Sequence, residues 1–105
     1  YENGVAISAC RKERSDAQIL CAQVADQLLT VKGVKASFVA GRNDAGKTVI
    51  SARSLGEVNV QVIMEKFGGG GHLTTAAAQV DSSIGETIKK IMDMMEVEQD
   101  DSNLK

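Results

Sequence analysis

The stretch Gly41-Arg42-Asn43-Asp44-Ala45-Gly46-Lys47-Thr48, residues 41–48, admits two readings, and the choice between them decides the fold. It matches the phosphate-loop pattern G-x-x-x-x-G-K-[ST] at every defined position. That pattern works only where a strand enters the loop and a helix leaves it, so that backbone amides and the helix N-terminus converge on phosphate. The residues that follow, Val49-Ile50-Ser51-Ala52, are β-rich and carry no helix cap. Asn43, Asp44 and the two glycines instead supply the turn chemistry of an antiparallel hairpin. The sequence therefore reads as two strands, 34–40 and 47–53, joined by a turn. An ATP-hydrolysing phosphate loop is excluded.

Upstream of the hairpin, Val5-Ala6-Ile7-Ser8-Ala9-Cys10 is a short apolar run before the charged Arg11-Lys12-Glu13-Arg14. It reads as a buried first strand ending in a solvated loop. Ser15-Asp16-Ala17-Gln18 has the form of a capping box, with Ser15 as N-cap. Behind it Leu20, Cys21, Val24, Leu28 and Val31 repeat at helical spacing, and Gly33 lies just past the end. Downstream, Asn59 is a good N-cap for a second helix running to Phe67, with Val60, Ile63, Met64 and Phe67 as its i, i+3, i+4, i+7 stripe. Gly68 to Gly71 stop it, and His72 follows. Ala76-Ala77-Ala78-Gln79-Val80 reads as a short strand. A second capping box, Ser83 with Glu86, opens a third helix carrying Ile84, Ile88, Ile91, Met92 and Met95. The order β-α-β-β-α-β-α gives an α/β (α+β) class, a mixed β-sheet of about four to five strands covered by helices. A ferredoxin-like arrangement fits the same string, so the topology stays open.

With 105 residues, 43% of them hydrophobic, the chain makes one domain and not two. One histidine (His72) and two cysteines (Cys10, Cys21) do not make a closed zinc site, which takes four ligands. They are equally too few for a disulfide scaffold. The cysteines read as small apolar residues. No apolar run approaches the roughly 20 residues of a membrane span, and the N-terminus has no signal-peptide architecture. Tyr1 is an odd first residue for a natural chain, so the sequence reads as a piece of a longer protein. The net charge is −2, of which residues 96–105 hold −3 (Glu96, Glu98, Asp100 and Asp101 against Lys105), leaving +1 for residues 1–95. The expected organisation is a folded domain over 1–95 and an acidic, disordered tail over 96–105. A near-neutral body argues against a generic electrostatic nucleic-acid binder. With only Tyr1, Phe38 and Phe67 as aromatics, extended single-strand binding is disfavoured too.

The glycine run carries the chemistry. Glycine in regular structure costs about 0.5–1 kcal/mol relative to alanine, and one would suffice to cap the preceding helix. Four point to a backbone that turns tightly and lets a ligand approach its amides, as in an anion-binding nest. Each hydrogen bond to a charged oxygen there contributes roughly 1.5–3 kcal/mol. His72 at the exit adds a donor to a phosphate oxygen. The competing reading is a flexible linker with an incidental histidine. Phe67 and the small residues 76–78, which bracket the run closely, oppose it. Arg53-Ser54 is a candidate phosphate clamp, although an arginine at a strand end is as often a solvated surface charge. His72 has no second histidine to share a metal with and no carboxylate nearby in sequence to orient it as a general base. Met92, Met94 and Met95 read as helix packing.

Three segments, Arg53-Ser54-Leu55-Gly56-Glu57-Val58-Asn59-Val60, Phe67-Gly68-Gly69-Gly70-Gly71-His72 and Ala76-Ala77, together resemble the C-terminal DHH-associated domain. That domain follows the catalytic DHH domain in the DHH phosphoesterase superfamily of RecJ-like exonucleases, nanoRNases and cyclic-di-AMP phosphodiesterases. A related domain ends alanyl-tRNA synthetases. The resemblance runs from the first strand to the third helix. Residues 59–67 look most like the membrane-anchored cyclic-di-AMP phosphodiesterase branch. It implies that Gly69, Gly70, Gly71 and His72 grip the substrate's phosphate and nucleotide, with Arg53 as a second contact. It further implies that no catalytic or metal-binding residue lies in this chain. Two manganese ions would sit in the preceding DHH domain, which would hydrolyse cyclic di-AMP to pApA at the cytoplasmic face of the membrane. The implied partners are the dinucleotide, that DHH domain and, as an open possibility, a second copy of the chain. Membrane contact would come only through the parent's N-terminal region. Ala78 departs from the glycine that many members carry there, which weighs against the exonuclease and nanoRNase branches. The alternatives are a substrate-binding domain of those branches, a non-catalytic RNA- or DNA-binding module, and a regulatory or oligomerisation domain without ligand.

Overall fold

Residues 41–48 form a hairpin turn in the structure, a computed structural model that describes residues 4–10 and 13–103, with only the backbone of 96–103. Strands β2 (Ala36–Arg42) and β3 (Thr48–Ser54) pair antiparallel, with Arg42 opposite Thr48. The Asn43 side chain builds the turn: its Oδ1 accepts from the amides of Ala45 and Lys47, each at 3.0 Å. Gly46 takes a φ of +80°, and Arg42 donates to its carbonyl at 2.7 Å. Lys47, the residue a phosphate loop would aim at its ligand, is ion-paired with Asp81.

Around this hairpin the order is β1 (Val5–Cys10), α1 (Ala17–Leu28), β2, β3, α2 (Val60–Glu65), β4 (Gly70–Gly71), β5 (Thr75–Val80) and α3 (Ile84–Asn103). One five-stranded sheet has the spatial order β1-β2-β3-β5-β4. β1 and β2 run parallel and the other neighbours antiparallel. β1 and β2 pair directly, with no strand inserted between them. That excludes the ferredoxin-like alternative, which splits its parallel pair.

Strand alternation sorts the core into two layers. Phe38, Ile50, Ala52, Ala76 and Ala78 face α2 and α3, meeting Val60, Ile63, Met64, Ile91 and Met95. Val39 and Val49 face the other way, onto Ala17, Cys21 and Ala25 of α1. This second interface is tight because its residues are small. A Cβ on Gly41 would lie 2.7 Å from the Cys21 sulfur. Burial, aided by Cys10 beside it, pushes the Cys21 thiol up to about 12, so it packs as a neutral side chain. Both cysteines are free.

Three expectations need correction. Ser15 does not cap α1. The N-cap is Asp16, without a side-chain bond, because its carboxylate is held by Arg14 at 2.7 and 3.0 Å. The helix ends at Leu28, three residues short of Val31, which is 47% exposed. The glycine run contributes a strand, β4, that its composition concealed. α3 is described as far as Asn103, its residues 96–103 by backbone alone. Neither glycine nor proline interrupts the chain after Gly85. A helix already nucleated and packed at Ile84, Ile91 and Met95 propagates at little further entropic cost. Residues 104–105, the end of the tail expected over 96–105, lie outside the described residues, as do Arg11 and Lys12 of the first loop.

Candidate functional site

The four glycines perform different tasks. Gly68, at φ +83°, ends α2: its amide donates to the Glu65 carbonyl at 3.0 Å and the next amide, Gly69, to that of Met64 at 2.9 Å. These are the paired bonds of a Schellman cap. Gly69 and Gly71 allow β4 to close on β5. A Cβ on Gly69 would stand 2.1 Å from the Ala77 carbonyl oxygen, and one on Gly71 2.4 Å from that of Thr75. Gly71 also holds a φ of +147°. Gly70 is different. It has no left-handed φ, and nothing lies within 4 Å of where its Cβ would be.

The run is therefore not a cup of successive free amides. Gly68 and Gly69 cap the helix, and the His72 amide donates to the Thr75 carbonyl at 2.6 Å. Antiparallel pairing alternates, so with His72 turned toward β5 the preceding Gly71 amide faces the free sheet edge. Residues 72–75 turn back tightly and are pinned from both sides. The Leu73 carbonyl accepts from Val60 at the start of α2, and that of Thr74 from Ser54 at the end of β3. Asn59 secures the same corner by accepting from the Val62 amide at 3.3 Å. The exposed His72 thus stands on a fixed backbone.

Arg53 and Ser54 do not form a clamp together, because adjacent strand residues point to opposite faces. Ser54 is buried on the α2 side, its hydroxyl accepting from the Gly56 amide at 2.9 Å. Arg53 lies on the α1 side, 15% exposed, its Nε bonded to Asp26 at 2.8 Å and its Nη1 to the Ala52 carbonyl at 2.9 Å. It is thus a held guanidinium and not a solvated surface charge.

On that α1 side the sheet is only partly covered. α1 packs over β2 and β3, whereas β4 and β5 are backed by α2 from the opposite face. Beyond the edge of α1, Thr75 and Gln79 are exposed and Ala77 is half-buried. Register aligns Ser51 of β3 with Ala77 of β5, and Ala77 with Gly70 of β4. Arg53 stands opposite Thr75 in the neighbouring row. Gln18, Ala22 and Asp26, four residues apart on α1, border this strip. Gln18 donates to Ser51 Oγ at 3.1 Å, and Asp26 holds Arg53. The result is an open shelf of small residues, bounded by α1 on one side and by Gly70 and His72 on the other.

A family model described as the DHHA1 domain matches residues 2–98. The chain belongs to the DHHA1 domain family. Its DHHA1 sequence is 54% identical over 91 residues to the cyclic-di-AMP phosphodiesterase GdpP of Geobacillus thermodenitrificans, covering 86% of this chain and 14% of that protein. It is 46% identical over 93 residues to the cyclic-di-AMP phosphodiesterase PdeA of Listeria monocytogenes, covering 88% and 14%. The chain thus spans about one seventh of the length of these curated relatives. Among solved structures, an exopolyphosphatase-related protein from Bacteroides fragilis shares the DHHA1 fold, with a TM-score of 0.66, 21% identity and coverage of 84% of this chain and 28% of that one.

The glycine run, His72 and Arg53 stand out in the sequence as candidates, whereas the shelf does not. Gln18 was assigned to a capping box, and Asp26 and Thr75 carried no local signal. Only the sheet register brings residues 51, 70 and 77 together, and a helix-to-sheet hydrogen bond adds residue 18.

Proposed function

We propose that this DHHA1 domain positions the substrate of a cyclic-di-AMP phosphodiesterase, a parent enzyme that hydrolyses the cyclic dinucleotide to pApA. The observation that carries this reading is Gly70. Its three neighbours are glycine because the domain's own fold requires it. Gly70 has no such internal reason, and the space above it opens on the side of the shelf where His72 stands. A backbone kept bare toward the outside suits the close approach of a phosphate, with His72 as donor, the edge-facing Gly71 amide beside it and Arg53 supplying the guanidinium.

Names of relatives at 46–54% identity supply the substrate class. Among the described residues no group of three His, Cys, Asp or Glu could hold a metal ion. The described residues therefore do not fit the manganese pair, which we assign to the DHH domain of the parent. The chain's own contribution is to hold a phosphodiester in one orientation, and positioning of that kind can dominate a rate without an acid–base residue. The shelf is open on one side, which suits a second wall supplied by that DHH domain. Among the described residues no helix is long and apolar enough to cross a membrane. Attachment at the cytoplasmic face would belong to the parent's N-terminal region.

Titrating the chain with pApA, cyclic di-AMP and a short oligonucleotide tests the reading. Saturable dinucleotide binding that His72→Ala and Gly70→Val abolish is expected. Salt-steep oligonucleotide binding would replace it with a nucleic-acid module, and unchanged affinity in both variants would remove the site.

A further inference from the structure

We propose that Gln18 is a specificity residue that reads the edge of an adenine base lying on the shelf, an inference that rests on the shelf being the dinucleotide site. Gln18 is exposed on the first turn of α1, where a glutamine is ordinarily free to sweep through solvent. Here its carboxamide is tethered to Ser51 Oγ at 3.1 Å, across 33 positions of sequence, and Ser51 itself is 1% exposed. The tether fixes a polar head at the border of the floor that Ala77 and Gly70 form. It leaves the carboxamide one N–H and its oxygen for a ligand.

A neighbouring donor and acceptor match adenine, which presents an acceptor nitrogen beside its exocyclic amino group. On the corresponding edge guanine presents two acceptors, for which an arginine or lysine is the fitting partner. The floor supports the same assignment. Ser51, buried at the α1 border beneath the Gln18 head, lies beside Ala77 and Gly70 across β3, β5 and β4, and the open part of the row, Ala77 and Gly70, projects no more than a methyl group. Such a row admits a flat ring. It spans two strand spacings, about 10 Å, from Ser51 to Gly70. One nucleotide covers a span of that order between its phosphate and the far edge of its base. A phosphate at Gly70 and His72 therefore brings the base to Gln18. Asp26 and Arg53, in the neighbouring row, remain available to the sugar–phosphate side.

The test uses the full-length phosphodiesterase, reading kcat/KM for cyclic di-AMP and inhibition by pApA and by pGpG. In Gln18→Leu, inhibition by pApA is expected to weaken about tenfold or more, with that by pGpG changing less than about twofold. Gln18→Ala, which removes the side chain without adding apolar bulk, should behave alike and guards against a folding defect in the first variant. His72→Ala should weaken both inhibitors together. If the Gln18 variants weaken both equally, or neither, while His72→Ala and Gly70→Val still lose activity, base reading by Gln18 is wrong and the phosphate site stands. If the His72 and Gly70 variants are also unaffected, the shelf is not the dinucleotide site and both readings fall.

Discussion

Gly69 and Gly70 are neighbours of the same residue type with opposite physical justifications. An alanine at 69 would drive its methyl into the backbone of β5, a contact of 2.1 Å that no side-chain rotation relieves. Gly69→Ala should cost about 1–3 kcal/mol, the range of overpacked sites. An alanine at 70 meets nothing and should be neutral or stabilising by up to about 1 kcal/mol, since it restricts the unfolded chain. Thermal melts of the two variants check this, with shifts of roughly 4–8 °C per kcal/mol and of opposite sign or very different size. Sequence alone showed that the run was unusual but not which glycine served which purpose. That distinction depends on β5 lying against β4, which is a tertiary fact.

Helix starts show how far local sequence governs an element. The two serine-led boxes look equivalent in the sequence and behave differently. Ser83 Oγ accepts from the Glu86 amide at 3.1 Å and donates to the Glu86 carboxylate at 3.2 Å, so this box caps α3. At α1 the arginine two positions before Asp16 captures its carboxylate, and the expected partner Gln18 is drawn to Ser51 in the sheet. Ser83→Ala should therefore cost about 1 kcal/mol by urea unfolding, whereas Ser15→Ala should stay within about 0.5 kcal/mol of the parent. Apart from β4, element types and their order were legible because strand alternation, the hairpin turn and the Asn59 cap are local signals. The shelf was not, because it is defined by where α1 stops covering the sheet.

For the whole molecule, the proposed positioning role rests on how the helices leave the sheet partly uncovered. Two helices seal one face of the sheet, and α1 seals half of the other. The remaining strip carries the bare Gly70 backbone, the fixed His72 and a restrained arginine. Its proposed contribution is to orient a substrate, and the chain spans 14% of its cyclic-di-AMP phosphodiesterase relatives. The central claim is that the space over Gly70 belongs to the substrate. It is tested most directly by kcat/KM for cyclic di-AMP in the full-length enzyme carrying Gly70→Val, measured together with its melting temperature. A β-branched residue is well suited to a strand, so the melting temperature is expected to hold. The expected fall in kcat/KM is about tenfold or more, the size of effect that misplacing a bound substrate produces. Wild-type kcat/KM in a folded Gly70→Val enzyme would contradict the claim.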